Sequence, residues 1–264
     1  MYITSLILHK ISSRSLYIQL SDAEGNTGWG EVAPLPNWSL ETLDQCIEQL
    51  KTFTGQNSRE LYPSVSFGLE SALLSLFSPL SDYTVPVATL LKGPDILEEA
   101  KLKHQQGYTI AKLKVGLLPF EEAAPLIHEL KNIFTLRIDV NRAWSTKESL
   151  NFFSQFPLDT FDYVEEPFRN PHDLDLFSHP LAVDESLRDT FTLAQLETIP
   201  SLKTLVYKPT LSGGLSHCLP YYKWAKEKNL DFVLSSCFES PLGLSQITAM
   251  ASRLGLTTPV GIGQ

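Results

Sequence analysis

From Pro86 onward the chain alternates short apolar segments with amphipathic ones, and this rhythm limits its fold more than any other feature. Strands are predicted near 86–91, 111–115, 136–140, 161–165, 181–184, 202–208, 231–236 and 260–263. Between them, segments such as 95–106, 120–132, 146–156 and 216–228 space their apolar residues as amphipathic helices do. A parallel neighbour cannot be reached through a tight turn, so strands joined by helices lie parallel. Eight of them predict an α/β fold in the form of a TIM-like barrel. Roughly 180 residues carry it, fewer than such barrels usually use. With the last strand running to Gln264 and no helix after it, the expected form is (β/α)7β.

The first third follows a different pattern. Residues 2–10 and 16–20 are rich in strand formers, and Asp22-Ala23-Glu24-Gly25-Asn26 has turn chemistry before a strand at 27–32. Pro34, Pro36 and Asn37 break the pattern. A helix is expected to open at Ser39, with Thr42 three residues on, and to run to about Lys51; a second is expected over 67–77, with small residues on one side and Pro79 and Pro86 punctuating its end. Two domains follow: an α+β capping domain over 1–85 and a barrel over 86–264. With 264 residues and 43% hydrophobic content, both have enough apolar side chains for a core.

Charge and cysteine usage exclude several classes of partner. A net charge of -9 without a basic cluster argues against nucleic acid. The three cysteines (Cys46, Cys218 and Cys237) are odd in number and lack metal spacing, which suits free thiols in a reducing, cytoplasmic setting. The N-terminal run MYITSLILHKI is too short and lacks the cleavage site of a signal peptide, and no stretch is long enough to span a bilayer. No repeat or low-complexity tract is present. A small-molecule substrate is the expected partner, with oligomeric state left open.

Barrel chemistry gathers at the C-terminal ends of the strands, and here those ends are charged. In order they are Lys112-Leu113-Lys114, Asp139-Val140-Asn141, Glu165-Glu166-Pro167, Asp184-Glu185-Ser186, Lys208-Pro209 and Ser235-Ser236. Alternation puts Lys112 and Lys114 on one face. A lone Lys-x-Lys is ordinarily a solvated strand, and a lone Asp-Glu-Ser ordinarily a helix cap. Carboxylates on three strand ends and lysines on two others form a set that neither account covers. Asp139, Asp184 and one of Glu165 and Glu166 offer hard oxygen ligands suited to Mg2+, with Mn2+ as the alternative. A lysine beside such a cation loses proton affinity through like-charge repulsion and burial, so it can act as a base. A metal-held substrate carboxylate and a neighbouring lysine together suit removal of the proton α to that carboxylate.

These residues carry a resemblance. The whole chain resembles the enolase superfamily, and within it the o-succinylbenzoate synthases. The matching stretches include Gly28-Trp29-Gly30-Glu31-Val32, Pro63-Ser64-Val65-Ser66-Phe67-Gly68, Ala111-Lys112-Leu113-Lys114-Val115-Gly116, Arg137-Ile138-Asp139-Val140-Asn141-Arg142-Ala143-Trp144, Val164-Glu165-Glu166-Pro167, Val183-Asp184-Glu185-Ser186 and Ser235-Ser236-Cys237-Phe238-Glu239-Ser240. The resemblance implies an enolase-like fold, with Asp139, Glu165 (rather than Glu166) and Asp184 as metal ligands. It implies Lys114 as the acid/base, Lys112 tuning its charge, and Lys208 stabilising the enediolate from the opposite face of the substrate. Arg137, Asn141, Ser235, Ser236 and Gly261 are the expected substrate contacts, the last three for a succinyl chain.

The implied activity is a lyase reaction of menaquinone biosynthesis, dehydration of a succinyl-bearing cyclohexadiene carboxylate to o-succinylbenzoate. Two departures from the pattern bear on substrate choice: the loop at 9–15 is shorter than the lid usual in this family, and relatives continue beyond the position of Gln264. A dipeptide epimerase needs an acidic partner for the substrate ammonium, and the expected last strand, Val260-Gly261-Ile262-Gly263-Gln264, has none. N-succinylamino-acid racemisation needs no such partner and stays open. A non-catalytic scaffold usually loses a lysine or a carboxylate, and none is missing here.

Overall fold

The computed structural model describes residues 3–55, 57–78 and 83–263. Tyr2 in the first expected strand, Pro79 at the end of the second expected helix and Gln264 lie outside them. The chain divides into two compact units. One comprises 1–85 with 207–223 and 234–257; the other comprises 86–206 with 224–233 and 258–264. The expected boundary at 85/86 is one of the divisions, but segments 207–223 and 234–257, assigned to the barrel domain from sequence, pack in the first unit.

In the first unit an antiparallel sheet of β1 (Ile3–Lys10), β2 (Leu16–Asp22) and β3 (Thr27–Val32) is ordered 1-2-3. Alternation along β2 buries Leu16, Ile18 and Leu20 against α1 (Leu43–Lys51) and α2 (Pro63–Phe77), whose Cys46, Leu50, Val65, Leu69 and Ala72 complete one core. α1 starts three residues later than an opening capped at Ser39 would place it. Thr42 is the N-cap, paired reciprocally with Gln45 in a capping box, while Ser39 Oγ accepts the Leu35 N–H. α2 starts earlier than expected, at Pro63, because proline is well suited to the first helical turn. The small residues of α2 have a cause: a Cβ on Gly30 would lie 1.9 Å from the Gly68 carbonyl oxygen, so strand and helix meet backbone to backbone.

Two carboxylates from the 1–85 segment organise the rest of this unit. Glu31, 2% exposed, accepts hydrogen bonds from the N–H groups of Ser240 and Gly243 and from Ser240 Oγ, at the start of α10 (Pro241–Arg253). Glu70 accepts the Ser216 N–H at the start of α9 (Leu215–Glu227). Each places negative charge at the positive end of a helix dipole.

The second unit is built on an all-parallel sheet. Its strands are β4 (Thr89–Leu91), β5 (Ile110–Lys114), β6 (Thr135–Asp139), β7 (Phe161–Glu165), β8 (Leu181–Val183), β9 (Leu202–Tyr207) and β10 (Asp231–Leu234), in sequence order across the sheet. Helices α3 (Ile96–Gln105), α4 (Phe120–Leu130) and α5 (Thr146–Phe153) form three crossovers; short helical turns at Pro171–Leu176, α6 (Glu185–Asp189) and α7 (Leu193–Leu196) fill later ones. The eighth strand expected at 260–263 is reduced to a parallel bridge between Val87 and Val260, with Ala88 N–H donating to the Val260 carbonyl. Among the described residues no helix is long and apolar enough to cross a membrane.

Candidate active site

Register in the parallel sheet fixes which side chains stack. Lys112, Arg137 and Tyr163 are partners across β5, β6 and β7, and one layer nearer the C-terminal ends Lys114, Asp139 and Glu165 are partners in turn. The two lysines share a face because they are two residues apart on one strand. Past the strand ends the ladder continues through Val115 N–H to the Asp139 carbonyl and Val140 N–H to the Glu165 carbonyl. Gly116 permits this exit, since a Cβ there would lie 2.2 Å from the Val140 carbonyl oxygen.

The Lys112 ammonium sits 2.9 Å from Asp139 Oδ2 and 2.7 and 2.8 Å from the two oxygens of Glu165. Both carboxylates are almost fully buried, at 1% and 0% exposure. Burial is the largest influence on Lys112 and lowers its proton affinity, but Asp139, Glu165, Tyr163 and Asp184 outweigh it and hold the ammonium well above the ordinary lysine value. Lys114 is more exposed, with Nζ 3.8 Å from Asp139 Oδ2. Lys112 is thus the buried member of the pair, held by two carboxylates, and Lys114 the one open to a ligand.

Asp184, 6% exposed, precedes α6 and donates its backbone N–H to Glu166 Oε1 at 2.9 Å. Among the described residues no three His, Cys, Asp or Glu side chains form a cluster that could hold a metal ion. Asp139 and Glu165 nevertheless converge on one cation, the Lys112 ammonium, and Asp184 directly follows the next strand, β8. Hard anionic oxygens already gathered around a positive charge fit a divalent ion by donor chemistry.

A second network, unforeseen from sequence, joins the turns after these strands. Arg142 donates from Nε to Glu166 Oε2 at 2.9 Å, from Nη1 and Nη2 to Asp189 at 3.1 and 2.9 Å, and from Nη2 to Ser186 Oγ at 2.9 Å. Glu166 Oε1 accepts the N–H groups of Asp184 and Ser186. Asn141, expected as a substrate contact, is exposed and donates its backbone N–H to Asp139 Oδ1 at 3.0 Å. Asn141, Arg142 and Glu166 all adopt left-handed backbone (φ 49, 56 and 46°), a cost of about 1–2 kcal/mol each. Trp144 anchors this turn by packing on Phe120 and Phe152, both 4.8 Å away between ring centroids. The doubled Glu165-Glu166 and the Arg after Asp-x-Asn were the available signals.

Arg137, expected as a substrate contact, is held largely by protein groups. It is 1% exposed, and its Nε pairs with Asp162 Oδ2 at 2.8 Å while Nη1 donates to the Pro259 carbonyl at 2.7 Å. Register shifts explain the partner: β7 skips Asp162 in its pairing with β6, and β9 skips Lys203 in its pairing with β8. Bulged residues turn off the regular alternation, and here the two meet, with Lys203 Nζ 2.6 Å from Asp162 Oδ1. Arg137 belongs to this buried ionic layer through Nε and Nη1, while Nη2 is buried without a hydrogen-bond partner among the described residues.

Lys208, Ser235 and Ser236 lie in the first unit, and Gly261 in the second. Lys208 immediately precedes α8 (Pro209–Ser212). Ser235, 7% exposed, donates its N–H to the Tyr207 carbonyl. Glu239 accepts the Thr210 hydroxyl and the Cys237 N–H, which ties the segment after β9 to the segment after β10. The Glu and final Ser of Ser-Ser-x-x-Glu-Ser therefore act on the fold.

Comparison with known proteins agrees with this layout. Residues 95–259 match the family model described as enolase C-terminal domain-like, and residues 4–76 match that of the MenC N-terminal domain. The chain is 37% identical to an o-succinylbenzoate synthase of Aliivibrio fischeri strain MJ11, over 90% of this chain and 78% of that one. A Thermosynechococcus elongatus o-succinylbenzoate synthase, solved with Mg in its active site, superposes with a TM-score of 0.75 at 24% identity, covering 99% and 91% of the two chains. An Enterococcus faecalis dipeptide epimerase superposes with a TM-score of 0.80 at 19% identity, covering 99% and 90%. Shape alone therefore does not separate these activities; sequence does.

Proposed function

The chain belongs to the o-succinylbenzoate synthases of the enolase superfamily, and from that membership we propose that it dehydrates the succinyl-bearing cyclohexadiene carboxylate to o-succinylbenzoate, a cytoplasmic step of menaquinone biosynthesis. The observation that carries the reading is the pair of lysines at one strand end beside Asp139 and Glu165, one buried and charged, the other open.

Lys114 takes the α-proton and returns it to the departing hydroxyl, so the product is the aromatic ring and water. Lys112 stays protonated between its two carboxylates and tunes the charge around Lys114. Asp139, Glu165 and Asp184 hold a divalent cation, Mg2+ with Mn2+ as substitute. When bound, that cation supplies stabilisation of the negative charge that develops on the substrate carboxylate. Lys208 takes the role of stabilising the enediolate, and Ser235, Ser236 and Gly261 that of contacting the succinyl chain; a missing side chain at Gly261 lets backbone N–H groups approach a ligand. The seven parallel strands together with the Val87–Val260 bridge support a (β/α)7β barrel drawn from 86–264, and 1–85 is proposed as the capping domain.

The test is the purified protein supplied with the cyclohexadiene substrate, with Mg2+ and then with chelator. o-Succinylbenzoate should form only in the presence of the cation. A protein that racemises N-succinylamino acids and leaves the diene untouched would contradict the assignment.

A further inference from the structure

We propose that Arg142 is a positioning residue that sets the geometry of the cation site through Glu166. The inference rests on the reading that Asp139, Glu165 and Asp184 hold a divalent ion. Arg142 follows the strand bearing Asp139 by three residues, Glu166 directly follows Glu165, and the backbone N–H of Asp184 is bonded to Glu166. One guanidinium thus ties together the turns behind all three oxygen donors.

The bond pattern supports positioning rather than simple charge balance. Arg142 reaches Glu166 with Nε and Asp189 with both terminal nitrogens, a fork that a point charge cannot reproduce. Its own backbone N–H donates to the Glu166 carbonyl at 3.0 Å, so main chain and side chain hold the same neighbour. Left-handed backbone at Arg142 and Glu166 is a conformation that persists only where surrounding bonds over-determine it. Partners that orient metal ligands from behind typically govern cation affinity by about 10- to 100-fold when removed.

The measurement is Mn2+ affinity of the full-length protein without substrate, read by the loss of free Mn2+ electron paramagnetic resonance signal. Arg142→Lys keeps a positive charge beside the buried Glu166 but loses the fork. It should stay folded by circular dichroism and bind Mn2+ at least about tenfold more weakly than the parent, with turnover recovering as cation is raised. Asp189→Asn loosens the exposed end of the clamp without stranding a buried charge, and it should weaken Mn2+ binding in the same direction by less. This second variant carries the test should the first not fold. If the parent binds Mn2+ and the folded variants bind it as tightly, the clamp is structural only and the positioning role is overturned. If the parent itself binds no Mn2+, the cation reading fails and the role of Arg142 fails with it.

Discussion

Replacing Arg137 by methionine separates a structural role from substrate recognition. The change keeps a long apolar stem and removes the guanidinium. It deletes the 2.8 Å bond to Asp162, the 2.7 Å bond to the Pro259 carbonyl and a cation–π approach of 5.0 Å to the Tyr163 ring. Removing one partner of a buried ion pair costs about 3–5 kcal/mol. Asp162 retains Lys203 at 2.6 Å and is 14% exposed, so the lower end applies. At about 2–4 °C per kcal/mol for a chain of this size, a loss of about 3 kcal/mol lowers Tm by about 6–12 °C. Thermal unfolding by circular dichroism reads the shift, and KM is measured well below the transition. KM should stay at the parental value on this reading, in which Nε and Nη1 hold protein groups; Nη2, buried without a hydrogen-bond partner among the described residues, is the nitrogen that the KM measurement interrogates. A variant with parental Tm and KM raised by about tenfold or more would place Arg137 on the substrate and refute this account.

Three further outcomes follow from the same geometry. Burial alone would raise the Asp162 pKa, but Lys203 and Arg137 outweigh it and hold the carboxyl below the ordinary aspartate value. A depressed folded-state pKa contributes stability above the unfolded value of about 3.9 and loses it as pH falls through the folded one; the stability gap between parent and Asp162→Asn should therefore be full at neutral pH and shrink below about pH 4, whereas a gap independent of pH would be contrary. Glu31→Gln replaces the buried carboxylate that accepts three bonds at the start of α10; urea unfolding should show a loss of about 1–3 kcal/mol, and no loss would mean the cap contributes nothing. Gly116→Ala forces a Cβ against the Val140 carbonyl and should cost about 1–3 kcal/mol while lowering turnover, since the exits of β5 and β6 must part; unchanged turnover and stability would show that the exit can relax.

Much of this was legible in the sequence because it rests on periodicity. The parallel strands at 110–114, 135–139, 161–165 and 202–207 fall within about a residue of where alternation puts them, and alternation also places Lys112 and Lys114 on one face. Features that break the period were not legible. Arg137 shares a face with Asp139, as alternation requires, yet its partner Asp162 is turned toward it by a bulge that only strand pairing reveals. The Arg142 clamp depends on three left-handed residues after the strands, and pattern carries no signal for those. The start of α1 differs from the expected one because Ser39 and Thr42 both have capping chemistry, and only Thr42 has Gln three residues on to complete the box. The eighth strand shrank to a bridge for a related reason: Val260-Gly261-Ile262-Gly263 carries glycine at alternate positions, which weakens a strand interior.

The central claim is that Lys114 moves the proton. Its most direct measurement is the turnover of Lys114→Arg on the cyclohexadiene carboxylate at saturating Mg2+, beside Lys112→Arg as a charge-preserving control. A guanidinium stays protonated and cannot act as base, so turnover of Lys114→Arg should fall by about 10²–10⁴-fold. Lys112→Arg, which keeps a positive charge between Asp139 and Glu165, should lose less. Near-parental o-succinylbenzoate formation by Lys114→Arg would contradict the account.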